Sequence, residues 1–247
     1  MPTDPYGTQS PSTSPSTTAQ AVAAQAVMPL PGTVCSAPSG LRGFDSDTVI
    51  SHRTAGQFVG EGYRFCLRYL PHAGGGTAGC LTAQEANDIL TAGLALMPVQ
   101  HVRKAPWSPD GPLGQSDGAY AAAYARSVGF PVGVNVWCDL EGVDGQSSAQ
   151  DVIDYCNEWY DAVSQAGYVP GLYVGANAGL SGQQLYSNLQ FQHYWKSCSA
   201  VPALPERGYQ MVQTLVPGTV NGIGIDRDIT QTDGAGGKAQ WLAVSGS

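Results

Sequence analysis

The ten residues from Gly133 to Gly142, Gly-Val-Asn-Val-Trp-Cys-Asp-Leu-Glu-Gly, constrain the chain more than any other stretch. Strand side chains alternate between faces, so Asn135, Trp137, Asp139 and Glu141 point one way and Val134, Val136, Cys138 and Leu140 the other. The second set is uniformly apolar and suits packing under helices. The first ends in two carboxylates whose Cα atoms lie roughly 6–7 Å apart, from a rise of ~3.3 Å per residue. Like charges at that spacing push their pKa values apart and can leave a protonated acid beside a carboxylate. Cleavage of a glycosidic bond uses such a pair.

The rest of the chain places this strand in a repeating unit. From Leu41 onward the pattern runs strand, loop, helix. Leu41–Ser46, Tyr63–Leu70 and Leu94–Val102 read as the first three strands, with Asp45 ending the first on the face of Leu41 and Gly43. Helices are expected around His52–Gly60, from Thr82 through Ile89, over Ser116–Val128 and over Ala149–Ala166. Thr82 with Glu85 three residues later reads as a capping box. The Ala149–Ala166 helix shows Val152, Ile153, Cys156, Trp159, Tyr160 and Val163 at helical spacing. Val169–Gly175 is the fifth strand, and Gln192–Cys198, Tyr209–Thr214 and Ile223–Thr230 follow with little room for helices between them. Alternating β and α units imply a mainly parallel sheet, and eight strands at this length an α/β fold of TIM-barrel type. The count predicts five β/α units followed by three bare strands, an irregular (β/α)5(β)3 barrel.

Such barrels build their sites at the C-terminal ends of the strands. Asp45, the pair Asp139 and Glu141, and the pair Asp226 and Asp228 are expected there, with Tyr173 from the fifth strand and Gln213 from the seventh. First and last strands adjoin in a closed barrel, which puts Asp45 near Asp226. Trp137 and Arg68 complete the supporting set, Arg68 as a partner for one of the acids. His101 reads as a base, a sugar contact or a plain loop residue, and Trp107 and Trp195 as sugar platforms or packing residues. Gly74–Gly76 has neither the spacing nor the helix start of a phosphate loop.

Composition narrows the partners. Only 12% of residues are charged and the net charge is −8, with no basic run, which excludes a nucleic-acid binder. No stretch approaches the ~20 apolar residues of a membrane span. The six cysteines, Cys35, Cys66, Cys80, Cys138, Cys156 and Cys198, contain no C-x-x-C, so neither a metal nor a cofactor is expected. They fit buried thiols or up to three disulfides, with Cys138 to Cys156 a plausible bridge in an oxidising exterior. The barrel is assigned to residues 41–247. Residues 1–40 form a Pro/Ser/Thr-rich arm in which Asp4 is the only charge of the first twenty residues, and Ala19–Val27 suits a short helix. With no core of its own, and neither the basic start nor the apolar run of a signal peptide, the arm is expected to dock onto a protein partner in a homo- or hetero-assembly.

Gly-Phe-Asp-Ser at 43–46, Trp-Cys-Asp-Leu-Glu at 137–141, Pro-Gly-Leu-Tyr at 170–173, Val-Gln at 212–213 and Ile-Asp-Arg-Asp at 225–228 occur in the order seen in glycoside hydrolase family 25 lysozymes. More closely, over about residues 41–241, the chain resembles the actinobacterial glycoside-hydrolase-like domain of unknown function allied to that family. The resemblance implies a (β/α)5(β)3 barrel, a peptidoglycan-type cell-wall glycan as substrate, and lysozyme- or muramidase-like chemistry. Glu141 would be the proton donor, and Asp139 would steady the cationic intermediate formed by the substrate's own 2-acetamido group. Asp45 and Asp226 match supporting carboxylates. Two readings follow: an extracellular, envelope-facing hydrolase, or a catalytically silent glycan-binding barrel in a virion, phage tail or other envelope-contacting assembly.

Overall fold

The computed structural model describes residues 28–214 and 218–244. The first five units are β2 (Arg42–Ser46) with α1 (His52–Gly60), β3 (Phe65–Leu70) with α2 (Ala83–Thr91), β4 (Ala95–Gln100) with α3 (Gly111–Val128), β5 (Asn135–Leu140) with α4 (Ala149–Gln165), and β6 (Val169–Val174) with the short α5 (Gly182–Ser187). β7 (His193–Lys196), β8 (Met211–Gln213), β9 (Gly218–Val220) and β10 (Ile223–Thr230) follow, and two outer strands, β1 (Thr33–Ser36) and β11 (Gln240–Ala243), come from the two ends of the described chain. Strands β2 to β8 lie side by side in parallel, and β10 closes the ring between β8 and β2. This is the expected (β/α)5(β)3 barrel.

The direction of β10 is the main departure from a parallel barrel. It runs antiparallel to both neighbours. The link from Gln213 to Ile223 is shorter than the dozen or more residues a parallel crossover needs, so the chain can only turn back. The turn is made through β9, which pairs with the start of β10. The beginning of β10, not its end, therefore reaches the face where the parallel strands terminate.

Local chemistry sets the helix boundaries. α3 begins five residues before the expected Ser116, because Asp110 accepts from the Leu113 N–H at 2.8 Å and Pro112 sits in the first turn. α3 packs hard on α4 because Gly114 and Gly118 leave no side chain between them; a Cβ at Gly118 would stand 2.6 Å from the Trp159 carbonyl oxygen. In α2 the capping box is half formed. Thr82 accepts from the Glu85 N–H, but the Glu85 carboxylate turns inward to the Ile50 N–H at 2.8 Å and to Arg68. A buried cation attracts it more strongly than an exposed backbone donor.

The N-terminal end of the barrel is sealed by segments outside the repeat. β4 pairs with β5 only at Val99↔Trp137 and Gln100↔Cys138. Below that, β11 pairs with β4 at Leu242↔Leu96, and β1 pairs with β11. Asn135, inward-facing on β5, accepts from the Gln240 N–H at 2.6 Å and donates to the Val169 carbonyl at 3.0 Å. Leu30 and Ala37 are buried, and the Leu30 N–H bonds the Gly129 carbonyl at 3.1 Å. Residues 30–37 thus pack against the barrel and cover apolar surface that the eight strands leave open. The helix expected over Ala19–Val27 lies outside the described residues.

All six cysteines are free thiols, so the bridge expected between Cys138 and Cys156 is not formed. Both are buried, burial pushes both thiols up, and they act as small apolar residues between the barrel and α4.

Candidate functional site

The parallel strands end around a cleft of about 420 Å³ lined by Asp45, Ser46, Asp47, Tyr69, His101, Val102, Asp139, Glu141, Gly218, Gly224, Ile225 and Asp226. Period-two alternation delivers its side chains. Asp45 and Asp226 are register partners across β2 and β10, and Asp139 pairs with Tyr173 across β5 and β6. Asp228 lies one inward position deeper than Asp226, opposite Gly43 on one side and Gln213 on the other. Antiparallel β10 thus separates the two acids expected together at a strand end. Asp226 lines the cleft, whereas Asp228 is buried beneath it.

Aromatic rings floor the cleft. Trp137 and Trp195 meet edge to face with centroids 6.0 Å apart, and Tyr173 meets Trp195 at 4.4 Å. Trp137 Nε1 donates to Met97 Sδ at 3.4 Å. This apolar floor keeps water from the carboxylates above it, and loss of hydration disfavours their charged forms.

Asp45 is the hub of the hydrogen bonds. Tyr69 Oη donates to its Oδ1 at 3.0 Å and Gln213 Nε2 to its Oδ2 at 2.9 Å. Tyr173 Oη in turn donates to Gln213 Oε1 at 3.1 Å, which fixes the orientation of that amide. Burial nevertheless pushes the Asp45 carboxyl up to about 7; Gln213 and Tyr69 hold it down and the Asp226 charge adds to the rise. Asp228 is raised well above the usual carboxylate range, by burial first and then by the charge of Asp45. Its Oδ1 accepts from Trp195 Nε1 at 2.8 Å, and its buried Oδ2 has no hydrogen-bond partner.

Asp139 and Glu141 stand on the other side. Asp139 is 7% exposed, and its Oδ1 has no hydrogen-bond partner. Burial, then Glu141, then Asp45 raise it well above its ordinary value, against one backbone hydrogen bond from Val102. Glu141, one residue past the end of β5, is half-buried and raised by burial and by Asp226. Asp226 is itself raised by burial and by Asp47. Gly175, just past β6, makes room for Glu141: a Cβ there would stand 2.5 Å from the Glu141 Cβ and closer still to its carboxylate. No Arg or Lys lines the cleft among the described residues. The arrangement is a set of carboxyl groups all raised above their ordinary values by burial and by one another's charge, open to solvent on one side.

The structure brings together Asp45, Asp139, Glu141, Asp226, Tyr173 and Gln213, with Trp137 and Asp228 just below. It does not bring Arg68. Alternation on β3 turns Phe65, Leu67 and Tyr69 inward and Arg68 outward with Cys66. There Arg68 is fully buried and paired with Glu85 at 2.6 Å, with further bonds to the Ser46 and Gly79 carbonyls. The cleft residue from β3 is Tyr69, which the same alternation could have singled out. Trp107 and Trp195 are packing residues: Trp107 Nε1 bonds the Glu141 carbonyl at 2.7 Å, and Trp195 lies in the floor. His101 lines the cleft, stacked on Tyr69 with centroids 4.2 Å apart, and burial holds its pKa below the ordinary value.

Comparison with known proteins identifies the family and the fold. Residues 57–230 match the family described as Rv2525c-like, glycoside hydrolase-like domain. No curated protein sequence matches the chain. Among solved structures, the Tat-secreted protein Rv2525c of Mycobacterium tuberculosis in complex with L-tartrate is similar with a TM-score of 0.58 and 18% identity, covering 78% of this chain and 96% of that one. The catalytic domain of endolysin ply40 from bacteriophage P40 of Listeria monocytogenes gives a TM-score of 0.55 at 16% identity, covering 78% of this chain and 94% of that one. The modular autolysin LytC of Streptococcus pneumoniae, bound to a synthetic peptidoglycan ligand, gives 0.53 at 11% identity, covering 77% of this chain and 46% of that one. The fold is thus shared with an endolysin catalytic domain and a modular autolysin, and by its sequence the chain belongs to the Rv2525c-like, glycoside hydrolase-like domain family.

Proposed function

We propose that the chain hydrolyses a peptidoglycan-type cell-wall glycan, with Glu141 as proton donor and Asp139 as the group that orients the substrate. The observation that carries this reading is the buried, unpartnered Asp139 Oδ1 next to a half-buried Glu141 raised by its surroundings. An acid catalyst must hold a proton near the working pH, and a half-buried carboxyl beside other acids does so.

The free pair titrates as a unit, with the deeper Asp139 raised more strongly. A 2-acetamido N–H donated to Asp139 Oδ1 favours the carboxylate form of Asp139 and moves the shared proton toward Glu141. Glu141 then protonates the glycosidic oxygen as the acetamido oxygen attacks the anomeric carbon and the C–O bond breaks. The cationic ring so formed is steadied by the Asp139 carboxylate, and water opens it with Glu141 now accepting a proton. Asp45, held by Tyr69 and Gln213, and Asp226 complete the wall around the sugar. A cell-wall substrate places the protein outside the membrane, facing the envelope.

A barrel kept only for binding would hold Glu141 in an ion pair with an arginine. The described ion pairs instead join Arg68 to Glu85, Arg103 to Asp117 and Arg207 to Asp233. The test is release of reducing ends from actinobacterial cell walls by wild type and by Glu141→Gln. The expected result is release by wild type alone. Equal background from both, with glycan fragments still bound, would leave a silent binding barrel.

A further inference from the structure

Asp117, on α3 and 1% exposed, uses both carboxylate oxygens on three different segments. Oδ1 accepts from the Ala73 N–H at 3.0 Å and from Arg103 Nη2 at 2.7 Å; Oδ2 accepts from Arg103 Nε at 3.2 Å and from Tyr155 Oη at 3.1 Å. Arg103 Nη2 also bonds the Ala73 carbonyl at 3.2 Å. The guanidinium fork is thereby fixed in one orientation. This pair lies outside the acid cleft, yet Arg103 sits in the middle of the loop that follows β4.

That loop touches each catalytic element. At its start, the His101 ring stacks on Tyr69, the donor to Asp45. Val102 lines the cleft, and its backbone N–H faces Asp139. At its end, Trp107 bonds the Glu141 carbonyl through Nε1, donates its own N–H to the Gly142 carbonyl at 3.3 Å, and accepts from the Asp144 N–H at 2.8 Å. The Trp107 ring also meets Tyr155 edge to face at 5.0 Å, so the residue that bonds Asp117 supports the loop a second time.

We infer that the Arg103–Asp117 pair is a positioning device that holds the loop from His101 to Trp107 against Asp45, Asp139 and Glu141. Neither residue touches the substrate in this account. Their effect passes through the loop backbone, and it rests on the hydrolase reading only where turnover is the readout. An ion pair with a buried carboxylate and five hydrogen bonds has one low-energy arrangement, and a misplacement of about 1 Å in such a site costs on the order of 10²-fold in rate.

The test uses Arg103→Gln, which removes a half-exposed side chain and leaves Asp117 with its Ala73 and Tyr155 donors, and Asp117→Asn as the second variant. Amide hydrogen exchange and carboxyl ¹³C titration on the whole protein need no substrate. We expect the Trp107 and Asp144 amides to lose protection by tenfold or more while amides of β5 and β6 stay unchanged. We expect Asp139 to titrate at higher pH, since loss of the Val102 N–H disfavours its charged form; Glu141, Asp45, Tyr69 and Tyr173, which also face it, are untouched by either substitution. Turnover should fall about tenfold to a hundredfold, with KM within a factor of about three and the limb of the pH profile set by Asp139 displaced upward. The double variant should cost no more than either single one, because the two residues act as a unit. Unchanged exchange at Trp107 and Asp144, or altered exchange with unchanged Asp139 titration, would overturn the inference. If wild type shows no turnover, the hydrolase reading fails, and exchange with titration still decides the role of the pair.

Discussion

Buried acids in this protein fall into two groups by location. Outside the cleft, each is matched: Glu85 by Arg68, Asp117 by Arg103 and Asp233 by Arg207, at 2.6, 2.7 and 3.1 Å. In and beneath the cleft, Asp45, Asp139 and Asp228 are all raised, and among the described residues no Arg or Lys lines that cleft. Buried charge is tolerated when paired and costs stability when not. A chain with only 11 Lys and Arg commits some of them to matched acids and none to the cleft. On the proposed function, the unmatched group marks where folding stability is given up for chemistry.

The largest expected effect is on the matched side. Arg68→Ala leaves the Glu85 carboxylate buried without its cation and the Ser46 and Gly79 carbonyls without a donor. The expected loss is about 3–5 kcal/mol, read from the urea midpoint. A loss below about 1 kcal/mol would erase the distinction between the two groups.

Stability against pH sharpens the comparison, because Asp45 and Asp233, one from each group, are shifted in opposite directions. Asp45 is raised from 3.8 to about 7, so between those values the folded state holds a proton that the unfolded chain has released. Stability falls as pH rises through that window, by about 1.4 kcal/mol per pH unit for each such proton. Asp233 is lowered, its Gln210 bond and the backbone N–H groups of Gly237 and Ala235 outweighing burial. Its contribution is present above 3.8 and is lost only in acid. Asp45→Asn should flatten the first slope and leave the acid limb in place, as measured by urea unfolding across pH.

Smaller effects should follow at the rim and beneath the floor. Gly175→Ala pushes a methyl against Glu141, so turnover should drop on the order of 10²-fold for a stability cost of about 1–3 kcal/mol. Asp228→Asn keeps the shape of the carboxyl and an oxygen for Trp195 while removing an acid that burial raises, and should change stability by less than about 1 kcal/mol. A large loss would mean that Asp228 is charged in the folded protein.

Much of the site could be read from period-two alternation, and one error came from not carrying that rule through. It placed Asp139 and Glu141 together and brought Asp45 beside Asp226. Applied to β3, it also turns Arg68 away from the cleft and Tyr69 toward it. The partner of Arg68 was hidden, because Glu85 reads locally as a helix-capping residue and only the packing of α2 on β3 turns it inward. The reversal of β10 was implicit in a link too short for a crossover, yet it decides that Asp226 and not Asp228 lines the cleft. β1 and β11 gave no periodic signal at four residues each, and their role depends on the gap between β4 and β5 that only the closed barrel creates.

The most direct test measures stability and turnover on the same Asp139→Asn protein. Removing an unmatched buried carboxyl should leave the thermal midpoint unchanged or raise it, while release of reducing ends from cell walls falls by at least about 10²-fold. A protein that melts lower and still cleaves at the wild-type rate would contradict the account, for Asp139 would then be a structural acid like Glu85.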